Sequence, residues 1–312
     1  MYKRQSQAYY SLARKLQADT DRRRVVATCQ KMYKSDPRIK GVLHAIGRDV
    51  VKGGFTISVN NDPNAEQVAN DLIDRLNLFK RLDDYVRLTL RDGDSLIEIG
   101  VNEAREIAEL SRKPTLLMHR HSNSFDRFDD PALAYWFHDR PVYSECVPDD
   151  AIWFSHWQVI HARWSHDEGE RYGTPLFAAS TGAWKRVSQA EVDMAIRRNT
   201  RAGMKYLHVV EGATDAELDA YQERNKADLS NPLASVGDYY SSKPGSIQTV
   251  QGDATLSDIA DVTHHIATMW LSSPMPMALL GYGENVNRDV LEEQTEEYHA
   301  ALETISEWVT DA

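Results

Sequence analysis

The chain has 312 residues, 42% of them apolar and 27% charged. That length supports one large core or two smaller ones, and the balance excludes a collagen-like, low-complexity or disordered chain. A formal net charge of −11 argues against a sequence-independent DNA-binding protein.

Met1-Tyr2-Lys3-Arg4 is basic but has no apolar run behind it, so no secretory signal is expected. Residues 7–34 predict a helix, with Leu12, Leu16, Val25, Cys29 and Met32 at helical spacings. Asp36-Pro37 predicts the cap and first turn of a second helix, which ends at Gly53-Gly54. The alternation of Phe55 to Val59 predicts a strand. Helices are expected over about 64–76 and 79–91, then a turn at Arg91 to Asp94 and a strand at Ser95 to Ile99. Residues 115–164 are β-rich around Met118, Trp136, Trp153 and Val159 to Ala162. After Tyr172-Gly173-Thr174-Pro175, a helical pattern runs from 175 to 202 through Leu176, Ala179, Ala183, Val187, Ala190 and Met194. A compact insert follows over 204–254. It has strand-like stretches at Tyr206 to Val210 and Ile247 to Val250 and a helix capped at Thr214 or Asp215. A helix over 255–271, a Pro/Gly-rich loop over 272–288 and a helix over 289–312 complete the pattern. The fold class expected is α+β.

Charge is polarised along the chain. Residues 1–52 hold thirteen Lys/Arg and four Asp/Glu, whereas residues 253–312 hold one and twelve. Such asymmetry places opposite fields on different faces, or reflects two solvated helix faces. No stretch approaches the ~20 apolar residues that span a bilayer. Cys29 and Cys146 are the only cysteines, too few for a disulfide framework or a four-thiolate zinc site, so a reducing compartment is the default expectation.

Catalytic motifs are sparse. The chain has no GxxxxGK[ST], GxSxG or HExxH, and Gly281-Tyr282-Gly283 follows a helix rather than a strand. His119 and His121 lie on one side of a strand, and with His161 they define an alternative reading as a metal-dependent hydrolase. Strand-surface histidines are the plainer reading. Glu292, Glu293, Glu296 and Glu297 form a helical acidic face with no basic partner in view.

The order of segments carries more. Arg87-Leu88-Thr89-Leu90-Arg91-Asp92-Gly93-Asp94-Ser95-Leu96-Ile97-Glu98-Ile99 reads as helix, glycine turn and strand. Val159-Ile160-His161-Ala162-Arg163 precedes the helix start Tyr172-Gly173-Thr174-Pro175-Leu176. Ile266 to Trp270 leads into Pro274, Pro276, Leu279, Leu280 and Gly281. In these motifs, their order and their spacing, the chain resembles the portal proteins of tailed double-stranded DNA phages over most of residues 20–310.

The resemblance implies an α/β wing over 1–172, a two-helix stem at 175–202 and 255–271, a small α/β clip at 204–254, a tunnel loop at 272–288, and a C-terminal helix with a truncated or minimal crown. It implies a non-enzymatic ring, dodecameric in the virion at the capsid portal vertex, through which DNA is packaged and ejected. No cofactor is implied. Implied partners are further copies of the chain, the terminase large subunit, a head-completion or adaptor protein, the major capsid or scaffolding protein, and double-stranded DNA passing without sequence readout. Glu284, Asn285, Asn287 and Arg288 would meet DNA in the channel. Ser241, Ser242, Lys243, Pro244 and Gly245 would form the clip tip that binds partners. Arg197, Arg198, Arg201 and Lys205, at the far end of the first stem helix, would pair with acidic residues of a neighbouring subunit, the preferred expectation, or meet DNA at the clip end. A third reading is an unrelated ring-forming adaptor.

Overall fold

The computed structural model of the chain describes residues 21–58, 62–123, 125–141, 147–167, 170–202, 207–228, 239–244, 260–282 and 286–311. Side chains are described throughout these except at 197–202, 225–228 and 260–261. Helix and sheet are mixed, as an α+β chain requires.

The chain divides into two units. The larger spans Met1–Thr181 and Met269–Ala312, and the smaller, Gly182–Thr268, is inserted in it. The larger unit opens with helix α1 (21–35), followed by α2 (Pro37–Val51), α3 (Pro63–Arg75) and α4 (Leu78–Asp92). Asp36 caps α2 as expected: its carboxylate accepts from the Arg38 N–H, and Pro37 sits in the first turn. Val26, Cys29 and Met32 of α1, Ile39, Val42, Leu43 and Ile46 of α2, and Val86 and Leu90 of α4 are all buried. Gly47 permits close approach of α2 and α4, since a Cβ there would lie 2.9 Å from the Asp83 carbonyl oxygen.

Two three-stranded antiparallel sheets follow. In sheet A, β1 (Asp94–Val101) lies between β2 (Ile107–Lys113) and β6 (Val159–Arg163). In sheet B, β4 (Tyr135–Phe137) lies between β3 (Met118–Arg120) and β5 (Ile152–Phe154). Leu96 and Val159 from sheet A join Met118, Tyr135 and Phe154 from sheet B in one buried cluster. Helix α8 (Arg288–Asp311) packs on α2, with Tyr298 donating to Asp49.

The smaller unit contains most of α5 (Thr181–Ala202) and most of α7 (Ala260–Trp270). Between these helices, β7 (Leu207–Val209) pairs in parallel with β8 (Tyr239–Ser241), and α6 (Asp215–Asp228) crosses between the two strands. Thr214 caps α6, its N–H and hydroxyl both reaching the Glu217 carboxylate.

Three local expectations need correction. Residues 55–58 form no strand: among the described residues none pairs with them, and Phe55 instead stacks on Phe79 at 4.5 Å. Helix α5 begins at Thr181 rather than 175. The Leu176 N–H is spent on the Leu90 carbonyl, and Ala178 and Ser180 make tight i→i+3 turns. Strand β2 was not foreseen; Ile107-Ala108-Glu109-Leu110-Ser111-Arg112-Lys113 has no strict alternation, and its strand character comes from pairing with β1. The strand expected at 247–250 and the first turns of the helix expected from 255 lie outside the described residues.

Candidate functional site

The Asp92-Gly93-Asp94 turn sits at the centre of the larger unit. Gly93 ends α4 at φ +81°, where a side chain would be strained, and its N–H bonds the Thr89 carbonyl. Opposite it lies Gly173. A Cβ on Gly173 would fall 2.1 Å from the Gly93 oxygen, and one on Gly93 would fall 2.6 Å from the Gly173 oxygen. Only two glycines let these backbones meet. Backbone bonds from Trp164 to Gly93 and from Thr174 to Trp164 fasten the crossing, each 2.8 Å long.

Two fully buried carboxylates flank Gly93. Asp94 accepts from His161 Nε2–H at 2.9 Å, from the Gly173 N–H at 2.8 Å and from the Arg22 guanidinium. Burial alone would raise this carboxyl. Arg22, then His161 and the Gly173 N–H, outweigh it and hold Asp94 below the usual carboxylate range. Burial pushes His161 the other way, towards the neutral form, with Asp94 opposing. An ionised Asp94 therefore requires the tautomer protonated at Nε2. Asp92 accepts from Arg91, Arg112, Gln30 and Thr115, at 2.7 to 3.1 Å. It too is held below its ordinary range: burial works against this, and Arg91 and Arg112 prevail.

Aromatic rings enclose the junction. The Arg22 guanidinium lies 3.7 Å from the centre of the Tyr172 ring, a cation–π contact, and the Tyr172 hydroxyl accepts from the Arg120 N–H. Asp126, at φ +54°, takes bonds from both Arg120 and Arg163. Chemically the junction is closed. Each carboxylate is ionised and saturated with donors, so none is poised to exchange a proton with a substrate. Its work is to fasten α1, β1, β6 and segment 172–176 into one piece.

Ser180, the last residue before α5, donates to the Met269 carbonyl at 2.7 Å and lies 2.7 Å from the Ser272 hydroxyl. The chain thus leaves and re-enters the larger unit at one point.

The three histidines of the hydrolase reading do not converge. His119 stacks on Trp136 at 3.9 Å, His121 meets Trp153 edge-on, and His161 is spent on Asp94. His119 is held neutral, its pKa lowered to about 3 by burial first and then by Arg23 and Arg22. Among the described residues, no three His, Cys, Asp or Glu side chains form a group that could hold a metal ion.

Of the expected channel residues, Glu284 and Asn285 lie outside the described residues. Asn287 is exposed, and Arg288 is the first residue of α8 rather than a loop residue. Its guanidinium pairs with Glu292, giving the acidic face one basic partner. In the segment before them, Met275 is buried and its carbonyl accepts from the Trp270 indole, whereas Leu279 is 42% exposed. At the expected clip tip, Ser241 closes β8 and its hydroxyl turns back to Lys243, while Lys243 and Pro244 are exposed. Ser242 is half-buried and Gly245 lies outside the described residues. The backbone of Arg197, Arg198 and Arg201 is helical; their side chains and Lys205 are outside the description.

Sequence reasoning passed over Arg22, Asp92 and Arg112. The signal was present in the Asp-Gly-Asp turn, but partners 72 and 20 residues away along the chain are invisible to local pattern. Among the described residues, no helix is long and apolar enough to cross a membrane. Compared with protein-family models and with curated proteins, the chain matches none.

Proposed function

We propose that this chain is the subunit of a portal ring, a channel for genomic DNA at one vertex of a tailed-phage capsid. The observation that carries the reading is the inserted unit. Gly182–Thr268 leaves and rejoins the larger unit at a point where Ser180 bonds Met269. An α-helix leaves, a small βαβ element follows, and an α-helix returns. The resemblance implies the same order, with a clip carried between two stem helices, and this supports the reading. A second support is the junction itself. Two of the segments that carry the resemblance, around Asp94 and around His161 and Gly173, bond directly to one another.

In this reading the larger unit is the wing and the insert projects a clip for the terminase and for a head-completion protein. The exposed glutamates of α8 suit a channel for DNA, because like charge repels phosphates and avoids the steep, salt-dependent grip of a basic lumen. The chain has a mechanical rather than a catalytic role. Negative-stain electron microscopy of the full chain tests this: a cyclic ring with a central channel is expected. A closed two-fold dimer that buries 181–202 at its interface would overturn the reading.

A further inference from the structure

Sheet A divides the larger unit into two sides, because successive side chains of a strand point to opposite faces. Leu96 and Val159 point into the core shared with sheet B. Their neighbours Ile97 and Ile160 point the other way and line an apolar trough between the sheet, α4 and the end of α8. The trough consists of two adjoining cavities, about 220 and 310 Å³, which share Leu78, Leu82 and Val309.

The side of the molecule carrying sheet B bears the converse feature. Trp157 is 62% exposed, Ile152 57% and Leu133 40%. They lie on β5 and on two short 3-10 turns, Pro131–Leu133 and His156–Gln158, joined where the Ser155 hydroxyl meets the Ala132 carbonyl. Exposed acids accompany them: Asp129 and Asp130 directly before the first turn, Asp149 and Asp150 one residue short of β5. Beside the trough stand the exposed cations Lys52, Lys80 and Arg81, with Glu307 and Asp311 of α8 at its other end. Arg81 reaches the trough lining, where it donates to the Leu110 carbonyl.

We propose that knob and trough are two halves of one interface, the Trp157 knob of one copy seating in the trough of the next. This rests on the ring reading and specifies its contact. Knob and trough lie on opposite sides of sheet A, so one copy does not fill its own trough. The contact is heterologous, the kind that builds a ring when the rotation from one copy to the next closes on itself. A tryptophan offers roughly 150–250 Å² of apolar surface, enough for an anchor residue. The acids beside the knob meet the lysines and arginine beside the trough, which favours a second copy, since one chain carries both halves.

The test uses full-length chains carrying Cys146→Ser; Cys29 is buried with its thiol pushed up to about 12, so it stays unreactive. Chains with Trp157→Cys are mixed with chains with Ser306→Cys, at the trough wall, and oxidised. A disulfide-linked pair is expected only in the mixture, and a ladder from a chain carrying both changes. Trp157→Ala weakens self-association about thirtyfold in sedimentation velocity, with an unchanged melting temperature at concentrations where both chains are monomeric. Dimers from Trp157→Cys alone, showing a two-fold contact, would overturn the proposal. So would wild-type rings in which the mixture never cross-links and the Trp157→Cys thiol reacts with maleimide as fast as a free thiol. That second result assigns the knob to a different protein and leaves the ring reading standing. A wild-type chain monomeric at every concentration overturns both.

Discussion

Gly173 shows how much a single hydrogen atom decides in this fold. Its missing side chain lets its backbone cross Gly93, and the nearest atom to a Cβ there is rigid backbone at 2.1 Å. Gly173→Ala therefore forces two chain segments apart. We expect a loss of about 3 kcal/mol in unfolding free energy by urea titration, the upper range for overpacking. Asp94→Asn leaves Arg22 buried beside a neutral amide. A cost of about 3–5 kcal/mol is expected, read by the same titration. The pH dependence follows from His119. Its folded pKa of about 3 lies below the ordinary 6.5, so the unfolded chain binds the proton first. Stability from this group is complete above pH 6.5 and falls as pH drops towards 3, by about 1.4 kcal/mol per unit. His161, also shifted down, adds to the slope below pH 6.5, whereas Asp94 adds only below the ordinary carboxylate range. His119→Gln should flatten the slope between pH 6 and 4, measured by urea titration at each pH.

Elements in this protein begin where a side chain satisfies free backbone N–H groups. Asp36 is buried, accepts the Arg38 N–H and pairs with the Arg38 guanidinium at 2.9 Å. Asp36→Ala removes both, and a loss of about 2 kcal/mol is expected in thermal or chemical unfolding. The contrast between residues 55–58 and β2 shows the limit of local pattern. Phe55-Thr56-Ile57 alternates well but finds no strand to pair with, whereas the irregular β2 is held by the six-residue register it shares with β1. Strand formation is a property of a pair, and only one partner is visible in a local window.

At the scale of the molecule, the insertion point makes a clean experimental handle. Because Ser180 and Met269 touch, residues 182–267 should be replaceable by a linker of about six Gly/Ser residues. The shortened chain is expected to unfold cooperatively in a thermal melt, with the Asp94 junction intact. If the insert is the clip, the same chain no longer binds terminase in a pull-down, while the full chain does. A shortened chain that aggregates or melts without cooperativity would show that the insert is required for the larger unit to fold.

Much of this architecture was legible in the residues themselves. Asp36-Pro37, Gly93 and the 3–4 apolar rhythm of α2, α4 and α8 declare helices through local sterics and capping, which need no distant partner. The succession of the helices α2, α3 and α4 could be read in the same way. Pairing and burial could not. That Asp94 gathers Arg22, His161 and Gly173, that Gly93 and Gly173 cross, and that His119, His121 and His161 point to three different partners are matters of tertiary structure. The physical reason is that desolvated charge and close packing depend on contacts between residues tens of positions apart, whereas sequence pattern reports only what one turn or one strand does to its own neighbours.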